Sequence, residues 1–218
     1  MFGRRLGHKL SPAKLGRLET LLPRLRVPAG PLGDLKALFA RPVSAVWLEI
    51  GFGGGEHLVL QAERHPDIGL IGCEPFINGA AKALQVIEER GLDNIRIHDG
   101  DAVDLLQRLP QASLARAFLL YPDPWPKRRH NKRRFVSPER LDMLAHALRP
   151  ASEFRFASDI DDYVAWTLRA VAAAPAFDWP AERADDWRLP YDGWQPTRYE
   201  KKAIREGRRS SYLRFIRR

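Results

Sequence analysis

At 218 residues with 44% hydrophobic side chains, the chain has the length of one domain and enough apolar material for a core, which excludes intrinsic disorder. Its single cysteine, Cys73, excludes an intramolecular disulfide and a Cys-rich zinc site and points to a reducing compartment. The 36 Lys and Arg against 27 Asp and Glu leave a net charge of +9, which asks for an acidic partner.

In chain order, residues 1–41 carry nine bases, two acids and four prolines, with an amphipathic stretch around Leu15, Leu18, Leu21 and Leu22. They read as a basic arm with one short helix, ahead of a single domain over 42–218. No apolar stretch of signal-peptide length follows the basic start, and no run is long enough for a membrane helix, so a soluble cytoplasmic protein is expected. The texture then changes to alternating strands and helices. Ala45 to Ile50 predicts a buried strand, Glu56 to Arg64 a helix, Gly69 to Cys73 a second strand and Asn78 to Glu89 a strong amphipathic helix. Ile95 and Ile97 mark a third strand, Val103 to Leu109 a short helix and Ala115 to Tyr121 a fourth strand. Pro138 to Leu148 predicts a helix with Ser137 as N-cap, Phe154 to Ala157 a fifth strand and Asp161 to Ala173 a further helix. Residues 175–197, with four Pro and three Trp, read as an irregular aromatic loop, and Ser210 to Ile216 as a closing strand. Strand and helix alternate without hairpin signals, the pattern of an α/β, doubly wound, mostly parallel sheet with helices on both faces. Ligands of such sheets bind at the carboxyl ends of the strands, where the strand order reverses.

The charge is distributed unevenly. The segment 198–218 repeats the +7 of residues 1–41, with nine bases against Glu200 and Glu206. Between them, 42–197 has eighteen bases and twenty-three acids, and six of those bases fall between Lys127 and Arg134. An acidic body with three basic zones points to a polyanion held at particular places.

The first strand ends in Glu49-Ile-Gly51-Phe-Gly53-Gly-Gly55-Glu56. This is G-x-G-x-G; the dinucleotide fingerprint would need glycine at Glu56, and no Gly-Lys-Ser/Thr follows for a P-loop. Glu49 would repel a pyrophosphate and pair with a cation. Glu74 ends the second strand nineteen residues after Gly55, where a carboxylate can accept both hydroxyls of a ribose. Asp101 follows the third strand and can accept an adenine amino group. Three carboxylates around one crevice disfavour a phosphorylated cofactor and favour a cationic adenosine; S-adenosylmethionine fits.

The fourth strand runs into Tyr121-Pro-Asp-Pro-Trp-Pro-Lys-Arg-Arg-His-Asn-Lys-Arg-Arg134. Three prolines in five residues hold Asp123 and Trp125 at fixed angles, and six bases without an acid follow at once. The bases would neutralise phosphates while a nucleobase in the crevice hydrogen-bonds Asp123 and stacks on an aromatic ring.

This segment, together with Glu49 to Gly55, Glu74-Pro, Gly100-Asp101, Ser158-Asp159, Thr197-Arg-Tyr-Glu200 and the N-terminal Gly-Arg-Arg-Leu, resembles the bacterial tRNA (guanine-N7-)-methyltransferase family over nearly the whole chain. The resemblance implies a seven-stranded Rossmann-like class I methyltransferase fold, S-adenosylmethionine as cofactor, tRNA as partner and the variable-loop guanine, position 46, as target. It implies cofactor contacts at Glu49, Gly51, Gly53, Gly55, Glu74, Asp101 and Asp123, and a catalytic role for Asp123. It places substrate binding at Lys127, Asp159, Thr197, Arg198, Tyr199 and Glu200, and RNA contact at Arg129, His130, Asn131, Lys132, Arg133 and Arg134. Asn131 stands where the family commonly has His or Glu, and Tyr121 where it often has Phe. No metal and no membrane contact are expected, and the chain is read as a monomer or homodimer. Two rival readings are a non-catalytic RNA-binding protein on the same fold and a methyltransferase acting on an exocyclic amine; the intact glycine loop speaks against the first, and the single Pro124 before Trp125 against the second.

Overall fold

The computed structural model describes residues 5–218; Gly3 and Arg4 of the Gly-Arg-Arg-Leu stretch lie outside them. Seven strands form one sheet: β1 (Ala45–Ile50), β2 (Ile68–Cys73), β3 (Ile95–His98), β4 (Leu114–Leu120), β5 (Leu148–Ser158), β6 (Phe177–Asp178) and β7 (Ser211–Arg217), in the order β3-β2-β1-β4-β5-β7-β6. Strands β1 to β5 are parallel, and β7 runs antiparallel to β5 and β6. The strand order reverses between β1 and β4, so the crevice outside their carboxyl ends is where a ligand belongs.

The two sheet faces bury separate cores because side chains alternate along each strand. Leu48, Ile50, Ala117, Leu119, Phe154 and Phe156 point to one core, shared with α5 (Ala102–Leu106), α6 (Pro138–Ala147) and α7 (Asp161–Ala172). Trp47, Leu70, Ile95 and Phe118 point to the other, shared with α3 (Glu56–Arg64) and α4 (Ile77–Arg90). Ser137 Oγ caps α6 by accepting from the Arg140 amide at 3.4 Å, as its Ser-Pro start predicts.

Two expectations need correction. The stretch read as an arm over 1–41 belongs in its second half to the domain. After α1 (Pro12–Thr20) and α2 (Leu22–Leu25), Leu22, Leu25, Val27, Leu35 and Phe39 are buried in the two cores. The Val27 amide donates to Ile97 O at 2.9 Å and continues the sheet beyond β3. Bases on a prolines-rich segment masked an apolar inner face with no regular period. The aromatic stretch 175–197 is also more ordered than read: it carries β6 and the short α8 (Asp185–Arg188), and it is followed by α9 (Arg198–Arg205). Two-residue strands and single-turn helices are too short for a periodicity to register.

Candidate active site

The turn after β1 is built around glycine. Gly55, at φ 81°, is the N-cap of α3, and a Cβ there would lie 2.7 Å from Ala83 Cβ. Gly51, at φ 72°, faces open space. The amide of Gly53 donates to Glu74 Oε2 at 2.7 Å, and the amide of Phe76 to Glu74 Oε1 at 2.9 Å. Burial pushes the Glu74 carboxyl above the usual range against those two donors, and the charge of Asp123 pushes in the same direction. Asp101 caps α5, accepting from the Val103 amide at 3.0 Å. These turns enclose a cavity of about 400 Å³ that reaches Gly51, Gly53, Glu74, Asp101 and Asp123.

The opposite wall comes from the segment after β4. The Tyr121 amide donates to Ala157 O at 2.7 Å and so continues the β4–β5 ladder. Tyr121 and Trp125 both have positive φ, 50° and 46°, and each precedes a proline. Both conformations are sparsely populated for such residues and are held by the surroundings. The strain turns the chain at both ends of Pro122-Asp123-Pro124, leaving Asp123 at the cavity mouth with an exposed carboxylate. Lys127 then leads into a 3-10 turn, Arg128–Arg133. Lys127, Arg128, Arg129 and Lys132 are exposed and carry no ion pair among the described residues. Arg133 lies 4.9 Å over the Trp125 ring, and both line the cavity. His130 meets the Trp125 ring edge-on.

The cavity therefore brings together Gly51, Gly53, Glu74, Asp101, Asp123, Arg133 and Tyr199 of the expected site residues. Others stand outside it. Glu49 points to the other sheet face, is 3% exposed, and accepts from His57 Nδ1 at 2.7 Å. Tyr191 OH stands 3.0 Å from His57 Nε2, so the Glu49–His57 pair anchors the aromatic stretch rather than facing the crevice. The alternation along β1 decides this, because Leu48 and Ile50 face the opposite core. Thr197 Oγ1 caps α9, accepting from the Glu200 amide at 3.3 Å. Glu200 is buried and accepts from Trp194 Nε1 at 2.7 Å and from Tyr212 OH, which ties α9 to β7. Arg198 and Tyr199 crowd Gly53, where a Cβ would meet both at 3.1 Å. Asp159 accepts from Arg208 Nε at 2.6 Å. Arg134 is 1% exposed and faces the interior, so it is not on the surface with the other bases. Asn131 and His130 are half-buried on the 3-10 turn. Trp194 and Trp187 pack inward, whereas Trp179 is 40% exposed.

Sequence reasoning missed Phe135 and Arg140, which also line the cavity. Arg140 Nη1 donates to the carbonyls of Arg134 and Phe135 at 2.6 and 3.1 Å. Nothing in the sequence separates this arginine from its many neighbours.

The donor set fits a cationic adenosine. Glu74 and Asp101 stand at the ends of adjacent strands and accept from the amides of Gly53, Phe76 and Val103, while the amides of Gly51 and Gly55 donate to Cys73 O and Phe52 O and so are not turned to a phosphate. The open side of Gly51 admits a ligand against the backbone, where any Cβ would intrude. Among the described residues no group of three or more His, Cys, Asp and Glu is arranged to hold a metal ion, and no helix is long and apolar enough to cross a membrane.

Comparison with known proteins agrees with this geometry. The sequence matches a methyltransferase family model over residues 44–213. A protein of Rhodopseudomonas palustris (strain BisA53), named tRNA (guanine-N(7)-)-methyltransferase, is 56% identical over 99% of this chain and 87% of its own length. One of the same name from Azorhizobium caulinodans is 54% identical over 99% of this chain and 94% of its own. Among solved structures, the 16S rRNA methyltransferase KamB superposes with a TM-score of 0.58 at 17% identity, covering 81% of this chain and 89% of that one. TrmN from Thermus thermophilus superposes with a TM-score of 0.56 at 16% identity, covering 82% of this chain and 45% of that one. At these identities the structural likeness speaks for the Rossmann-like methyltransferase fold.

Proposed function

The chain belongs to the tRNA (guanine-N7-)-methyltransferase family, and from that premise we propose that it methylates N7 of the variable-loop guanine, position 46, of tRNA. The observation that carries this reading is one segment: Asp123 lines the cavity, and the cations Arg128, Arg129 and Lys132, without an ion pair among the described residues, follow it on the outer surface. A base entering the cavity brings its phosphates to those cations.

S-adenosylmethionine, when bound, supplies a methyl group activated by its sulfonium. Glu74 would hold its ribose hydroxyls, Asp101 its adenine amino group, and the glycine turn its methionine part. Guanine N7 presents an in-plane lone pair and no proton, so the chain need not supply a general base. Positioning dominates. Asp123 accepts from guanine N1–H and the 2-amino group, which fixes the base, and its negative charge stabilises the positive charge that develops on the purine. Tyr199 lines the cavity with Arg133, which lies over Trp125, and the exposed Lys127 just beyond Pro126 would orient the nucleotide from outside it. Thr197, Glu200 and Asp159 act through the elements they hold.

The test is incubation with labelled cofactor and unmodified tRNA, followed by borohydride and aniline cleavage. Label in tRNA with scission at position 46 is expected. Label that resists scission would point to an exocyclic amine, and tight tRNA binding without label to a non-catalytic protein.

A further inference from the structure

The loop that presents Asp123 is poorly supplied with backbone bonds. Pro122, Pro124 and Pro126 have no amide hydrogen, and residues 122–126 make one hydrogen bond among the described residues: Arg134 Nε donates to Pro124 O at 2.9 Å. Two residues of the loop region, Tyr121 and Trp125, sit at positive φ, so the loop keeps its shape only while something holds it.

Arg134 is itself held through two of its three nitrogens, Nε and Nη2, while Nη1 is buried without a hydrogen-bond partner among the described residues. Its guanidinium has no exposed side-chain surface; Nη2 donates to Asp162 in the first turn of α7. Its planar head lies 4.9 Å from the Tyr163 ring and 5.3 Å from that of Trp166. Its carbonyl accepts from Arg140 Nη1. Tyr163 is fully buried, and Trp166 Nε1 donates to Val136 O at 2.8 Å, so the rings against the guanidinium are fixed as well.

We propose that Arg134 is a positioning residue for methyl transfer, a buried clamp that carries the rigidity of α7 through Asp162 and Pro124 to Asp123. This rests on the reading of the cavity as the methyl-transfer site. It separates the last base of the cluster from the others: Arg128, Arg129 and Lys132 meet phosphate, and Arg134 meets the loop. Planarity matters as much as charge here, since the guanidinium donates in two directions while lying against rings, which an ammonium cannot do.

Three variants test it: Arg134→Lys, Arg134→Gln and Asp162→Ala, the last at a side chain that is 64% exposed and so tolerant of change. Turnover at saturating tRNA and cofactor should fall by about tenfold to a hundredfold for both Arg134 variants, the cost of a misplaced reacting geometry. The KM for tRNA and its salt dependence should stay as in the parent. Asp162→Ala should lower turnover less, although it makes the surface more positive. Hydrogen exchange of the peptide spanning 118–131 should rise in all three while peptides of α4 exchange as before.

The proposal is overturned if lysine restores turnover. It is also overturned if Arg134→Gln raises KM and flattens the salt slope by about 0.7 to 0.9, the signature of one phosphate contact. Asp162→Ala that binds tRNA more tightly at full turnover would overturn it too. The exchange measurement needs no activity: unchanged exchange over 118–131 sinks the clamp even if the protein methylates nothing, whereas raised exchange in a protein that methylates no tRNA sinks the functional reading alone.

Discussion

The wall of the cavity on the β1–β2–β3 side is backbone holding side chains, and the wall on the β4 side is a side chain holding backbone. Glu74 is fixed by the amides of Gly53 and Phe76, and Asp101 by the amide of Val103, all within or beside the turns that carry them. Asp123 rides on a loop in which three of five residues are prolines without an amide hydrogen, fixed by an arginine eleven residues further on that packs against α7. The first wall is set by local residue type and spacing. The second depends on distant packing, so its failure should appear in turnover rather than in cofactor affinity.

The largest expected effect breaks the second wall at its tip. Asp123→Ala should lower turnover by about a hundredfold to a thousandfold, the range for removing one preorganised electrostatic group, with cofactor binding by calorimetry little changed. Full turnover would take Asp123 out of the mechanism.

Gly79→Ala breaks the first wall from behind. A Cβ at Gly79 would lie 2.3 Å from Gly53 O, far inside contact distance, so α4 and the glycine turn must part. Alanine is also about 1 kcal/mol better than glycine inside a helix, which offsets part of the strain in overall stability. Cofactor affinity should therefore fall by about tenfold or more while the melting temperature moves little, and tRNA binding should persist. Equal loss of both ligands would show that the two walls are one unit.

How much of this was legible in the sequence follows the same division. The strands to β5 and most helices were readable because buried parallel strands and amphipathic helices repeat over enough residues. Gly51, Gly53, Glu74 and Asp101 were readable because a tight turn and a strand-end acid are local. The partner of Glu49 was not legible, since its side is decided by pleat phase against α3, and only the neighbouring core shows that His57 waits there, away from the cavity lining. Arg134 was grouped with Arg129 because a run of bases gives no sign of which one turns inward. Phe135 and Arg140 were invisible because their place in the wall depends on where the 3-10 turn ends.

Smaller effects are expected from the outer face of the second wall. Replacing Arg128, Arg129 and Lys132 together by Gln should raise the KM for tRNA several-fold at physiological salt and leave turnover at saturation near that of the parent. For three lost contacts to single-stranded or loop phosphates, the slope of log affinity against log salt should become shallower by about 2. An unchanged slope would remove the 3-10 turn from the interface and confine recognition to the cavity and α9.

The smallest expected effect is in pH, and it belongs to the first wall. A carboxylate accepts ribose hydroxyls in its ionised form. Burial raises the Glu74 carboxyl above the ordinary range, against the two amides that lower it, so its protonation on acidification begins at a higher pH than for an exposed glutamate. The sign follows: cofactor affinity is full above that raised value and weakens as pH falls through it. In Glu74→Gln the affinity should be lower throughout and should lose this acid limb. Asp123→Asn removes the neighbouring negative charge that helps hold the Glu74 value up, so it should move the limb to lower pH. A limb that stays in place when Asp123 is neutralised would mean that the two walls do not sense each other's charge across the cavity.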